Sequence, residues 1–441
     1  MKQIPYYLLL ASLILLPFNA LPLYALGSIS SEGSTYTLLL LALYLAINII
    51  FTGKLYYPDK RIFYLFVALL CFSLFVGLYN YGVISSSYYM GRYGVVRFLE
   101  QLFQLLFGII ITYAISFTID SEYKLYKVIQ FLAYVMLGYT LFGVFQFVAY
   151  NFGGIISSIH DFIGNIIFHN GIIDKMQGAG RIHSVSQEPS LLSMYMAVIG
   201  PFVLFYSLKT NRYYLIFLML FVLFVSYSRI GYVIFLTIII LSVILSRFGH
   251  ISFGKIFYSI PLVLLLFVII VLSPAIDVFL SLFDTTQSGS NAARYAASVA
   301  AILLWLDNNI WLGIGLGQAG FQLPDYIPVW GFISGEIQDV ANGDRWPFMH
   351  NLLVKMLVEN GIIGLVIWLS IFAVLLLKVN KIITLKKKMD DPNIWIGQAI
   401  FISLICGFLI MFNRELISNM NIWVCLGLAT SYLRINHRLL K

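Results

Sequence analysis

The sequence predicts an all-α polytopic membrane protein with about twelve transmembrane helices and two long external loops that contain interfacial helices. Three observations lead there. The 441 residues are 61% hydrophobic and 10% charged, with a mean hydropathy of +0.91, a balance that no water-soluble domain has. Apolar runs of the length needed to cross a bilayer recur along the chain. The basic residues also sort between alternate connections, as they do in proteins threaded through a membrane.

The spans fall at about 6–26, 36–52, 62–79, 96–117, 126–149, 189–207, 212–227, 229–246, 252–273, 351–377, 394–412 and 416–433. They divide the chain into spans 1–5 (residues 1–150), a first long loop (151–188), spans 6–9 (189–273), a second long loop (274–350) and spans 10–12 (351–441). Ala25-Leu26-Gly27 resembles a signal cleavage site, but the run before it is long and weakly basic, and a retained helix is expected. Cys71, Cys406 and Cys425 lie in apolar runs and read as small buried residues.

Placing both termini in the cytoplasm puts most of the 27 Lys and Arg inside, so the net charge of +8 is mainly an orientation signal. No basic patch accompanies a nucleic-acid reading module, and no nucleic acid is expected as a partner. Arg92, Arg97, Lys175, Arg181, Arg229, Arg294, Arg345, Lys355 and Arg414 run against the topological preference, outside or within spans. Charge in these places is costly unless something there uses it.

Both long loops contain helical patterns. Ile155, Ile156, Ile159, Ile163, Ile166 and Ile167 share a face of a segment too short to span, which suits the membrane interface. Alanines 292, 293, 296, 297, 300 and 301 form a small-residue stripe that lets helices approach closely. The two loops are expected to cap an external cavity. Gly315, Gly317 and Gly320 match GxGxxG, but no strand or βαβ unit surrounds them, so the ordinary reading is a turn beside the membrane. There is no P-loop, HExxH or CxxC. Asp325, Glu336, Asp339 and Asp344 read as a hydrated acidic loop; neither an essential metal nor a cofactor is expected.

The residues able to do chemistry gather near the outer face. His350 stands where the second loop becomes helix. Asn351, Lys355 and Glu359 follow at helical spacing as a polar stripe in which Lys355 and Glu359 can pair, and Gly361 and Gly364 offer a close packing surface. The histidine is either an interfacial residue over a structural stripe or a general base or substrate contact. Glu188 and Pro189 suit a helix start, or Arg181 and Glu188 line the cavity as anion contact and carboxylate partner or base. Arg229 in a tight reversal and Arg294 at the head of the alanine-striped helix are either snorkelling and solvated arginines or, with Arg181, a phosphate clamp. Arg97, Glu100, Gln101 and Gln104 form either a self-satisfied interhelical contact or a substrate contact.

"HNLLVKMLVENGIIG", from His350 to Gly364, fits the H-[NSH]-x9-G-x-x-[GTY] pattern of O-antigen ligases. "SRIG", Arg294 with its helix, and "GIGLG" are also similar to the core of the bacterial O-antigen polymerase and ligase superfamily, and "SQEPS" resembles the polymerase branch. The resemblance covers about residues 180–375. It implies a GT-C-like membrane glycosyltransferase of the bacterial inner membrane, with its active site facing the periplasm. Donor and acceptor would both be undecaprenyl-pyrophosphate-linked glycans, and a chain-length regulator protein is a candidate partner. The favoured expectation is a polysaccharide polymerase. His350 or Glu188 would act as the base, and Arg181, Arg229, Arg294, Asn351, Lys355 and Arg97 would contact substrate. A ligase acting on lipid A–core is the close alternative, and a transporter or lipid-linked-oligosaccharide flippase the remote one.

Overall fold

The computed structural model describes residues 3–19, 21, 32–53, 59–167, 181–248 and 289–440. The expected ninth span, the start of the second loop, Lys175 and the Ala25-Leu26-Gly27 site lie outside these residues, as does the side chain of Arg229. The helices are α1 (Ile4–Leu15), α2 (Ser34–Thr52), α3 (Lys60–Tyr79), α4 (Tyr81–Ser86), α5 (Gly94–Thr118), α6 (Glu122–Phe152), α7 (Gly154–Ile167), α8 (Pro189–Thr210), α9 (Tyr213–Val225), α10 (Arg229–Phe248), α11 (Gly289–Leu306), α12 (Ala319–Gln322), α13 (Gly335–Ala341), α14 (Leu352–Lys388), α15 (Ile394–Ile410), α16 (Met420–Ile435) and α17 (His437–Leu440). A hairpin of β1 (Tyr88–Tyr89) and β2 (Arg92–Tyr93) interrupts the series. The chain is thus an all-α polytopic membrane protein, with six helices long and apolar enough to cross a bilayer among the described residues.

Helix α8 forms the buried centre and packs against α6, α9, α10 and α15. A second core joins α3, α5, α14 and α16 around Trp423, whose ring lies 5.7 Å from that of Trp368 and 6.2 Å from that of Phe66. Gly108 makes this possible, because a Cβ there would come within 2.0 Å of the Trp423 indole.

The connections sort into two ends. At one end Lys378 pairs with Asp59, Lys386 binds Glu122 at 2.6 Å and Asp391 at 3.0 Å, and Arg434 donates to the carbonyls of Ser116 and Phe117. At the other, Ser186 donates to the carbonyl of Pro17, Glu32 accepts from the Met420 amide and the Leu352 amide binds the Met411 carbonyl.

The loop helices follow their patterns. On α7, Ile155, Ile159, Phe162 and Ile166 are exposed while His160 is buried. The six alanines of α11 are all buried, and Gly331 closes on Ala296 so tightly that a Cβ would lie 2.6 Å from the alanine's own. Cys406 and Cys425 are buried, but Cys71 is exposed on the bundle's flank; an apolar run on the perimeter of a membrane bundle faces outward as well as inward.

The largest departure is in α14. It runs to Lys388, well past the expected end, and breaks at Gly361, which has φ 62° and ψ −171°. The break removes intrahelical hydrogen bonds, and residues 310–315 replace them. The amides of Ile314 and Gly315 bind the carbonyls of Val358 and Glu359 at 3.1 and 2.8 Å, and the Ile362 amide binds the Ile310 carbonyl at 3.0 Å. A kink at membrane depth is tolerated when its polar groups are satisfied in this way. The glycine-rich stretch is therefore a backbone splint for the broken helix. Gly361 is the break itself, not a packing surface on a continuous helix as expected.

Candidate functional site

His350 ends the second loop in a left-handed conformation (φ 55°), which a non-glycine residue adopts at some cost. The next residue, Asn351, caps α14, its side chain accepting from the amides of Leu353 and Val354 at 3.0 and 3.2 Å. The turn between α15 and α16 fixes this junction from the side. Its Glu415 accepts the Met349 amide, and its Asn413 accepts from Arg294 Nη1 at 2.7 Å. Three separate segments thus meet at His350: the head of α11, the end of the second loop and the α15–α16 turn.

Each segment contributes a guanidinium. Burial, followed by the charges of Arg294, Arg345 and Arg414, pushes the His350 imidazole down to about 4. The ring is therefore neutral at pH 7, with a lone pair free to accept a proton. Glu336 of α13 lies 3.9 Å from His350 Nε2 and 3.3 Å from Arg345. Arg414 is itself partly desolvated, which lowers its pKa, and it stands in the field of Glu32, Glu188 and Glu415. Glu32 accepts the Met420 amide at 3.0 Å; burial pushes its carboxyl up to about 7, against the opposing pull of Arg414.

Glu188 precedes Pro189 at the head of α8 and is exposed, with Ser190 Oγ donating to it at 3.1 Å. Arg414 is the shared neighbour that brings Glu188 and His350, the two expected bases, to one region. Arg294 is also at the site. Arg229 begins α10 after a tight reversal, as expected.

The other expected contacts are committed elsewhere. Arg181 donates to the carbonyls of Ser226 and Tyr227 at 3.4 and 3.0 Å, closing the α9–α10 reversal. Lys355 is buried and donates to Gln101 at 2.9 Å; Gln101 in turn binds Gln104 at 2.9 Å. It makes no ion pair with Glu359, whose carboxylate faces the glycine loop and accepts from the Gly317 amide. Arg97 pairs with Glu100 at 3.1 Å, beneath Trp346. The polar stripe is thus buried rather than a water-facing mouth, because Asn351 leaves the helix as its cap, α5 binds Lys355 and the glycine loop binds Glu359. Sequence reading did not assign Arg345, Arg414, Asn413 or Glu336 to the site. The signal for the two arginines was present, since both run against the topological charge preference.

Residues 214–369 match the family profile described as O-antigen ligase. The match supports the O-antigen polymerase and ligase superfamily over that stretch. The matched stretch contains Arg229, Arg294, Arg345, Glu336 and His350, but stops short of Glu188 and Arg414 on either side. No curated protein matches the chain. That family implies a glycosyltransferase-type enzyme of O-antigen processing and lipid-linked glycan substrates in a membrane.

Proposed function

We propose that the protein is an O-antigen or capsular polysaccharide polymerase that joins undecaprenyl-pyrophosphate-linked repeat units at the outer face of the inner membrane. The cluster of Arg294, Arg345 and Arg414 around neutral His350 carries this reading. A lipid pyrophosphate is a multiply charged anion held at interface depth by its tail. Guanidinium groups suit it because planar donors engage two oxygens at once. The loops that carry Lys124, Lys209, Arg212 and Lys386 gather at the opposite end of the bundle, which supports a periplasmic site and cytoplasmic termini.

In the proposed reaction an acceptor sugar hydroxyl attacks the anomeric carbon of the donor. The new glycosidic C–O bond forms as the bond to the donor pyrophosphate breaks, and the lipid pyrophosphate leaves with the electron pair. The arginines stabilise the charge that develops there. The hydroxyl proton passes to His350, with Glu188 as the second candidate. Glu336 is poised to hold Nε2–H, which leaves Nδ1 as acceptor. Binding of the anionic donor neutralises the arginine field, so the imidazole becomes a stronger base only once substrate is present.

The ligase alternative is favoured by one observation, the description of the family matched at 214–369. The two readings share donor chemistry and differ in acceptor. Protein reconstituted into vesicles with lipid-linked repeat units as the only glycan separates them: the proposal expects lipid-linked polymer, and a product seen only when lipid A–core is added assigns the ligase. A chain-length regulator protein remains the candidate partner.

A further inference from the structure

The β1–β2 hairpin has no part in the reaction just described. Its two-residue turn has positive φ at both central positions, 52° at Met90 and 73° at Gly91, the twist that tight hairpins require. Tyr88 pairs with Tyr93 and Tyr89 with Arg92, so the two pairs point to opposite faces. The inner face is fixed to the second long loop. Tyr89 donates its hydroxyl to the Val340 carbonyl at 3.0 Å, and Arg92 lies 4.6 Å over the Trp346 ring. Trp346 is locked in turn by Phe321, with ring centroids 5.2 Å apart, and by Gly320, where a Cβ would come within 2.6 Å of the indole. Four residues after this anchored tryptophan comes His350.

The outer face presents Tyr88 and Tyr93, 61% and 62% exposed, with ring centroids 5.0 Å apart. Exposed tyrosines beside a bilayer commonly sit in the interfacial belt. This pair has a different setting. Through Tyr89, on its other face, the hairpin is bonded to α13, whose exposed side chains, with those of the turn after it, include Gln338, Asp339, Asn342 and Asp344. Aromatic faces stack against the C–H faces of pyranose rings, and amides and carboxylates bind their hydroxyls.

We propose that the Tyr88/Tyr93 face, with the polar edge of α13, is a carbohydrate-binding platform that holds the acceptor glycan beside the His350 site. The proposal rests on the glycan-polymerising function above. It explains why a lone hairpin is built so firmly onto the site loop and yet leaves two rings uncovered. Holding the acceptor there would keep successive additions on one chain, so the platform governs polymer length rather than bond formation.

The test uses the full-length protein in detergent micelles. The probe is the polysaccharide released by mild acid from the producing cell's own surface glycan, and binding is read by saturation transfer to its sugar protons. Y88A/Y93A is expected to weaken binding about tenfold or more. Y88L/Y93L, which keeps apolarity but lacks rings, is expected to do the same; rescue by leucine would assign the pair to lipid and overturn the platform. D339N/N342A leaves the hairpin intact and is expected to weaken binding as well. Arg438→Ala, exposed at the opposite end of the bundle, is expected to bind the free glycan as wild type does. In cells lacking the native gene, Y88A/Y93A should give shorter surface polymer with repeat units still joined. Unchanged binding and chain length in Y88A/Y93A overturn the platform and leave the polymerase standing. An unchanged surface glycan in the deletion strain overturns the polymerase, and the platform with it.

Discussion

Glu336 Oε2 stands 3.9 Å from His350 Nε2, and the same oxygen holds Arg345 at 3.3 Å. One carboxylate thus lies near both the proposed base and one of the cations that, after burial, lower its pKa. α13 is a helix of seven residues with Glu336 in its first turn, and its placement sets the geometry of the proton acceptor.

His350→Asn is the cleanest removal of the base, because asparagine tolerates the left-handed backbone at this position. The expected loss of transfer is about 10²–10⁴-fold, the usual contribution of general-base catalysis, with the amount of protein in the membrane unchanged. Glu336→Gln keeps the shape but removes the charge. It should lower turnover by less than His350→Asn, while leaving donor affinity near wild type. Initial rates with lipid-linked repeat units read both.

Arg294→Ala and Arg414→Ala should each weaken donor use by about ten- to a hundredfold, as loss of charge-assisted hydrogen bonds worth ~1.5–3 kcal/mol implies. Arg438→Ala, exposed at the opposite end, is the control and should be neutral. Equal tolerance of all three substitutions would remove the pyrophosphate clamp. Arg181→Ala should act differently: it frees the carbonyls of Ser226 and Tyr227, so its effect should appear in thermal stability.

The pH profile gives a separate test. The His350 pKa lies near 4 because of burial and three neighbouring cations, so the ring is neutral above that pH. The acid limb of kcat/KM, which reports the free enzyme, should fall near pH 4. The limb of kcat reports the donor complex and should lie above that of kcat/KM, because the pyrophosphate cancels the arginine field while the burial of the ring remains. Coincident limbs at the ordinary value would contradict the proposed role of the arginines.

His183 predicts the acid stability of the first loop. Its Nδ1–H donates to the Ser186 carbonyl at 2.5 Å and its Nε2 lies 3.0 Å from Gln146 Nε2, so only the neutral ring satisfies both. Burial lowers its pKa to about 4. A depressed histidine contributes stability that is complete above its unfolded value of about 6.5 and is lost as pH falls towards 4. Thermal unfolding in micelles should therefore show a smaller decline between those pH values for His183→Gln than for wild type.

Much of the fold could be read from hydropathy and charge, since a bilayer restricts the backbone to helices that end where polar residues begin. The alanines of α11 and the isoleucines of α7 announced their faces for the same reason. The break in α14 could not be read this way. Gly361 looks like any helix-packing glycine until the 310–315 segment is seen entering beside it, where its own Cβ would lie 2.2 Å from the Trp311 carbonyl oxygen. Gly361→Ala combines that overlap with a left-handed backbone and should cost at least ~1–3 kcal/mol, seen as reduced accumulation in the membrane.

At the candidate site, His350, Glu188 and Arg294 stood out in the sequence because a charged or titratable group at the end of an apolar run needs a reason. Lys355 and Arg97 gave the same signal for a different cause. Each satisfies a partner on a neighbouring helix, and spacing within one segment does not reveal what another segment brings. Arg414 and Arg345 were visible as misplaced cations, but only the folded chain sets them beside His350.

The most direct measurement is the surface-glycan banding pattern of a strain lacking the gene, complemented with wild type or His350→Asn. Wild type should give a full ladder and the variant lipid A–core carrying a single repeat unit, because ligation continues while extension stops. A full ladder from His350→Asn would contradict the catalytic assignment. Bare core, with lipid-linked polymer accumulating in the envelope, would assign the ligase instead.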